Sequence, residues 1–257
     1  MRVIPASTSA ARDSRDPLNL IMKIKKVSKT FFVPKNNYEQ FGLQVYNLLV
    51  ENFSKTFFVG GMVRDLLLHK KISDIDIVTT ATPEKIEKLL TKNNFQINTA
   101  GKNFGVIKVI SKLGDIEITT MRSEQYSGSR YPKVKFINNL TRDSKRRDFT
   151  INSLYFQAKL NVIENPQNGL TDISKKSLKL IGDPELRLQE DPLRIIRGYR
   201  FGKELNFVIE EKTLRALENN FNLIKKLSTK KIESEINKSK NISTKKYLQQ
   251  KIKKLLI

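Results

Sequence analysis

Between Thr56 and Thr79 the chain reads TFFVGGMVRDLLLHKKISDIDIVT, and this stretch narrows the fold more than any other. An apolar run ending in two glycines predicts a strand that turns into a helix over Val63–Leu68. Asp-Ile-Asp then opens a segment of period-two alternation, the pattern of a half-buried strand. Residues two apart on a strand share a face. Asp74 and Asp76 therefore present paired carboxylates to one side, while Ile75 and Ile77 enter a core. Such a pair repels itself unless a cation sits between its members, and hard oxygen donors suit Mg2+. GDIEITT repeats the geometry, with Asp115, Glu117 and Thr119 opposite Ile116 and Ile118. A third carboxylate from a neighbouring strand is what two-metal phosphoryl transfer needs. Gly60 and Gly61 lack Cβ and let backbone N–H groups approach an anion, and Arg64 adds a guanidinium for phosphates. Each piece alone has a plainer reading, an amphipathic strand or a tight turn with a surface arginine. Together they predict a phosphate cradle beside a metal site.

The remaining periodicities set the class. Phe41, Val45, Leu48 and Leu49 predict a helix within residues 39–53, and Thr82-Pro83-Glu84 starts another with proline in its first turn. Strands and helices interleave irregularly up to about residue 180, which predicts an α+β domain. After KLIGDPELR the strand signals stop. Leu193, Ile196 and Tyr199, then Leu214, Leu217, Phe221, Ile224 and Leu227, keep helical spacing. The expected organisation is a leader over residues 1–22, an α+β domain over 23–180 and a helical domain over 181–257. The leader has no signal-peptide pattern, and Met22 before KIKK is the preferred start.

Composition excludes several classes. No apolar run approaches the roughly 18 residues of a membrane span. There is no cysteine, so disulfide frameworks and thiolate zinc sites are out, which suits a reducing, cytoplasmic setting. His69 is the single histidine, expected in an exposed turn after Leu68, which counts against a histidine metal site or catalytic triad. Lysine and arginine number 48 against 26 acids, a net charge of +22. That field favours a nucleic acid partner. From Leu223 to Ile257 there are 11 lysines and two glutamates, a solvated helix face or an RNA-backbone contact surface.

Four segments in order, GGMVRDLLL…DIDIVTTATP, EITTMRSE, RRDFTINSLYF and GDPELRLQEDPLRIIRGYRF, resemble the signature motifs of class II tRNA nucleotidyltransferases and bacterial poly(A) polymerases. The resemblance covers roughly residues 55–205. It implies a nucleotidyltransferase-type palm, the head, followed by an all-helical neck. It also implies that Asp74 and Asp76 bind catalytic Mg2+, with Glu117 as the third carboxylate. Gly60, Gly61 and Arg64 would meet the triphosphate, and Arg147 and Asp148 the nucleotide ribose and phosphates. RRDFT unaided reads as a surface ion pair.

The neck motif can also be reasoned from hydrogen bonding. At about 100° per residue, Glu190, Asp191, Arg194 and Arg197 lie on one helix face, with Pro192, Ile195, Ile196 and Tyr199 on the other and Arg200 toward the edge. A carboxylate accepts from an exocyclic amine and a guanidinium donates to a ring nitrogen. Cytosine and adenine satisfy that pair, whereas guanine and uracil present the opposite pattern. Asp191 and Arg194 are thus candidates for selecting CTP and ATP, with Arg197 and Arg200 beside the nucleotide. The alternative is an i, i+3 salt bridge on a surface helix. MRSEQYSGSRYPKVKF, containing Gly128, is expected to be a mobile loop. It is slightly shorter than the family's loop. STKKIESEI (228–236) has Lys230 and Lys231 where the family's helix usually has an acid and an arginine. The expected function is template-independent addition of C and A to the 3′ end of tRNA. Poly(A) addition by the same site is the first rival, and an RNA-binding remnant without catalysis, suggested by the chain's length, is the second.

Overall fold

A computed structural model of the protein describes residues 24–126, 132–239 and 241–256. Its elements are, in chain order, β1 (Ile24–Lys26), α1 (Asn37–Asn52), β2 (Thr56–Val59), α2 (Gly61–Leu67), β3 (Ile75–Thr79), α3 (Pro83–Lys92), β4 (Ile97–Asn98), β5 (Val106–Val109) and β6 (Ile116–Thr120). There follow β7 (Arg122–Gln125), β8 (Lys133–Phe136), α4 (Leu140–Lys145), β9 (Tyr155–Gln157), β10 (Val162–Glu164), α5 (Gly169–Ser174) and β11 (Ser177–Leu178). The last part holds α6 (Pro184–Glu190), α7 (Leu193–Leu205), β12 (Val208–Ile209), α8 (Glu211–Asn219), α9 (Thr229–Asn237) and α10 (Ile242–Leu256).

Eight strands form one mixed sheet in the order β1-β10-β9-β2-β3-β6-β5-β4. Only β3 and β6 run parallel within it; the other neighbours are antiparallel. The α+β expectation is met. Alternation does what the sequence predicts: Ile75 and Ile77 of β3 and Ile116 and Ile118 of β6 are buried. They join Val45, Tyr46 and Leu49 of α1 and Ile86 and Leu90 of α3 in the first core. Tyr46 stacks on Phe58 of β2 with ring centroids 4.4 Å apart. A buried phenylalanine or tyrosine contributes about 2–3 kcal/mol by burial, so this pair anchors α1 to the middle of the sheet.

A second core lies beside the sheet. Ile195 and Ile196 of α7, Leu217 of α8, Ile232 and Ile236 of α9, and Leu248 and Ile252 of α10 meet there. Phe149, Ile151, Leu178 and Leu180, which precede residue 181, belong to the same cluster.

Three local expectations are corrected. The EDPLRIIRGYRF helix is not continuous: α6 ends at Glu190, Asp191 is extended (φ −142°, ψ 98°) and Pro192 caps α7. Proline has no N–H to give and pushes the preceding residue out of the helical region. The stretch after residue 180 is not wholly helical, because β12 pairs in parallel with β11. Asn206 ends α7 in the left-handed conformation (φ 53°), and the β-branched pair Val208-Ile209 then runs extended. Two residues are too few for a periodicity signal. The segment expected as a loop, 121–136, instead contains the two strands of the β7–β8 hairpin, with Arg122 opposite Phe136. Its tip, including Gly128, lies outside the described residues, as does the 1–22 leader. Among the described residues no helix is long and apolar enough to cross a membrane. His69 is exposed in the turn after Leu68 with φ 54°.

Candidate active site

The sheet register builds the first wall. Val59 pairs with Asp76 across β2 and β3, and Asp76 pairs with Glu117 across β3 and β6. The glycine turn after β2 therefore stands next to the Asp76 carboxyl. Gly60 has φ +77°, and a Cβ there would come within 3.4 Å of Asp76 Oδ2, so this position needs glycine for conformation and keeps the carboxyl uncovered. Burial, then the neighbouring charge of Glu117, pushes the Asp76 carboxyl up to about 6. Asp74, one residue before β3, is exposed and accepts from Ser73 Oγ at 2.9 Å. Glu117 faces Lys108 Nζ at 3.5 Å.

The second wall is α7 with the turn before it. Arg197 Nε donates to Asp148 Oδ2 at 2.7 Å, and Arg200 Nε donates to the buried Glu235 Oε1 at 2.9 Å. Arg194 is itself buried, and its guanidinium donates to the Arg187 carbonyl at 2.6 Å and to Glu190 Oε2 at 3.1 Å. Asp191 accepts from the Leu193 N–H at 3.2 Å, closing the turn that Pro192 opens. Arg64 reaches this wall from α2. It donates to Asp65 at 2.9 Å and Asn152 at 2.6 Å, and its guanidinium lies 5.2 Å from the centre of the Phe201 ring. Arg197 and Arg200 sit over the same ring at 5.3 and 4.2 Å. Three guanidiniums are thereby held around one aromatic ring, whose face attracts cations.

Between the walls, Arg147 Nε donates to Tyr155 Oη at 2.9 Å while Asp143 accepts from both of them. Burial alone would raise the Asp148 carboxyl, but Arg197 and the Phe149 N–H outweigh it and hold the group down to about 2.

Gly60, Gly61, Arg64, Asp74, Asp76 and Glu117 all line a single cleft of about 1290 Å³. Arg147, Asp148, Asp191, Arg194, Arg197 and Arg200 line it too. Every candidate from the sequence is thus brought to one place. Several lining or supporting residues were not singled out: Tyr38, Lys108, Asp143, Asn152, Tyr155, Phe201 and Glu235. Asp143 had a legible signal, since it lies four residues before Arg147 on a helical turn. Glu235 had none, because its partner Arg200 is 35 residues away.

The donor set fits a hard divalent ion in a particular way. Among the described residues no three histidine or carboxylate groups stand close enough to hold a metal ion. Mg2+ is commonly held by one or two carboxylates completed by substrate phosphates, and an exposed Asp74 beside a partly buried Asp76 suits that arrangement.

Comparison with known proteins agrees with this geometry. Residues 56–179 match the Poly A polymerase head domain family. A CCA-adding enzyme of Lactobacillus helveticus is 41% identical over 179 residues, 69% of this chain and 44% of that protein. The Bacillus stearothermophilus CCA-adding enzyme solved with CTP superposes with TM-score 0.66 at 31% identity, over 78% of this chain and 47% of that one. The Thermotoga maritima CCA-adding enzyme solved with tRNA gives TM-score 0.68 at 25% identity, over 89% and 54%. The chain spans about half the length of the curated relatives it matches. Over the head that holds the glycine turn and the paired aspartates, the chain belongs to the family of class II tRNA nucleotidyltransferases and bacterial poly(A) polymerases.

Proposed function

We propose that this chain is a template-independent nucleotidyltransferase that adds C and A residues to the 3′ end of tRNA. The observation that carries the reading is the convergence of the glycine turn, the paired aspartates and the neck arginines on one cleft. The relatives solved with CTP and with tRNA support those partners. The RNA 3′-hydroxyl attacks the α-phosphate of CTP or ATP in line. A 3′-oxygen–phosphorus bond forms, the α–β bridge breaks, pyrophosphate leaves and the hydroxyl proton passes to solvent. Asp74 and Asp76 would hold Mg2+, which supplies charge neutralisation and a more acidic hydroxyl. Glu117 backs Asp76 from the adjacent strand. Gly60, Gly61 and Arg64 bind the triphosphate, and Arg147 and Asp148 orient it from the cleft floor. Asp191 and Arg194 read the base edge, with Arg197 and Arg200 bracing them. Residues 23–180 act as head and 181–257 as neck. A tRNA substrate and the absence of cysteine support a cytoplasmic setting.

The test is incubation of the chain with tRNA ending at the discriminator base and CTP, ATP or both, followed by 3′-end sequencing. One or two C followed by one A supports the reading. Long A tails would favour poly(A) addition instead, and no extension would leave an RNA-binding role without catalysis.

A further inference from the structure

The two strands that bring the carboxylates together do not close on each other at the cleft end. β3 and β6 run parallel, with Ile75 opposite Ile116 and Thr79 opposite Thr120. At the far end the Met121 N–H donates to the Thr79 carbonyl at 2.7 Å. Parallel ladders bond through alternate residues of a strand. Counting back from Thr79 through Ile77, the last rung at the cleft joins the Ile75 N–H to the Asp115 carbonyl. A third group occupies that rung. The Tyr38 hydroxyl accepts from the Ile75 N–H at 3.1 Å and donates to the Asp115 carbonyl at 2.9 Å.

The ring is held for this task from two sides. Tyr38 lies in the first turn of α1, whose start is fixed by Asn36 accepting from the Glu39 N–H at 3.0 Å. On its other side is Gly114, with φ +133°, where a Cβ would come within 2.9 Å of the tyrosine ring. A direct rung would draw nitrogen and oxygen to about 2.9 Å. The phenolic relay keeps them one oxygen further apart, at the point where Asp74 and Asp115 leave their strands.

We propose that Tyr38 is a positioning residue for nucleotidyl transfer, its hydroxyl holding the ends of β3 and β6 apart so that Asp74 and Asp76 together face a divalent cation. This rests on the function proposed above. Phenylalanine at this position would keep the ring and lose both hydrogen bonds, allowing the rung to close directly.

The experiment compares wild type with Tyr38→Phe in two measurements. The first is kcat and KM for CTP on tRNA lacking its end. The second is Mn2+ binding to the nucleotide-free protein, read by electron spin resonance. Tyr38→Phe should unfold within a few degrees of wild type, lose about 10- to 100-fold in kcat, keep KM for CTP within about twofold, and bind Mn2+ several-fold more weakly. A merely structural tyrosine would lower the unfolding temperature and leave kcat and Mn2+ affinity alone, and that result overturns the proposal. If wild type binds Mn2+ but adds no nucleotide, the catalytic reading falls, and the Mn2+ ratio of the two chains still decides for or against Tyr38. If neither chain binds Mn2+ without nucleotide, the Tyr38 proposal falls, and nucleotide addition by wild type decides the catalytic reading separately.

Discussion

The two walls of the cleft solve opposite electrostatic problems. On the neck wall, charge is compensated within the protein: Arg197 has Asp148, Arg200 has Glu235 and Glu204, and Arg194 has Glu190 and a backbone carbonyl. On the head wall, charge is left over. Asp76 sits beside Glu117 with its carboxyl raised to about 6, and Asp74 is exposed. A wall that is already satisfied holds side chains still, which suits recognition of a base edge. A wall with surplus negative charge awaits a cation. The same contrast separates binding energy spent on selection from binding energy spent on chemistry.

The largest expected effect tests the head wall. Replacing Asp74 and Asp76 together with alanine should reduce nucleotide addition by at least about 10³-fold, since it removes the groups that would hold the metal. Circular dichroism and the unfolding midpoint should stay near wild type, because neither carboxylate belongs to a hydrophobic core. A double mutant that still turns over would show that the surplus charge has another purpose.

Next comes the neck wall. Asp148→Asn leaves the Arg197 guanidinium with only Glu235, 3.8 Å away, as a charge partner and should cost about 3 kcal/mol of stability, measured by denaturant unfolding. The pH dependence gives the sign. A carboxyl held down to about 2 in the folded chain contributes stability that is present above its unfolded value near pH 4 and is lost as pH falls through 2. In Asp148→Asn that acid-sensitive part should be missing, so the two unfolding curves should converge toward pH 2. Parallel curves would mean the pair is not coupled to folding.

A smaller effect is expected in base choice. Asp191→Ala and Arg194→Ala should each narrow the preference for CTP and ATP over UTP and GTP by about 5- to 150-fold in kcat/KM. Triphosphate binding, proposed for the glycine turn and Arg64, should change less. Arg194 also holds Glu190 and the Arg187 carbonyl, so Arg194→Lys is the sharper probe. It keeps the charge while losing the planar fork. Unchanged selectivity in all three would remove recognition from the neck wall.

The smallest effect concerns the outer surface. Lys225, Lys226, Lys230, Lys246 and Lys253 are exposed. Changing them to glutamine should flatten the salt dependence of tRNA affinity, by about one unit of slope for each phosphate that a lysine no longer neutralises. An unchanged slope would make these lysines a solvated face and nothing more. Cutting the chain after Leu223 is a poorer experiment. It removes Ile232, Ile236, Leu248 and Ile252 from the second core and Glu235 from Arg200.

Much of this was legible in the chain. The period-two segments gave β3 and β6, and TFFVGG gave the turn between β2 and α2, because each is a local pattern written in a few consecutive residues. The helical spacing within 39–53 and the proline at 83 located α1 and α3 for the same reason. The relation between walls was not legible. Arg64 bonding to Asn152 spans 88 residues, and Tyr38 reaching Asp115 spans 77; no local rule pairs them. The break at Asp191 was legible in principle, since proline follows it. The helical wheel of the EDPLRIIRGYRF segment hid it, because the outward residues still fell on one side after the kink.

The segment from Arg147 to Ile151 has a consequence for how such a protein can be divided. Arg147 bonds to Tyr155 of the large sheet, Asp148 to Arg197 of α7, and Phe149 and Ile151 are buried in the core built by the later helices. A gene cut near residue 180 would therefore give one fragment with four apolar side chains uncovered, Phe149, Ile151, Leu178 and Leu180, and another with a hole of the same shape. The two halves are covalently interleaved. Swapping necks between relatives to change nucleotide choice would transplant cleanly only if Phe149, Ile151, Leu178 and Leu180 travelled with the neck, and moving the first two would disturb the adjoining Arg147 and Asp148.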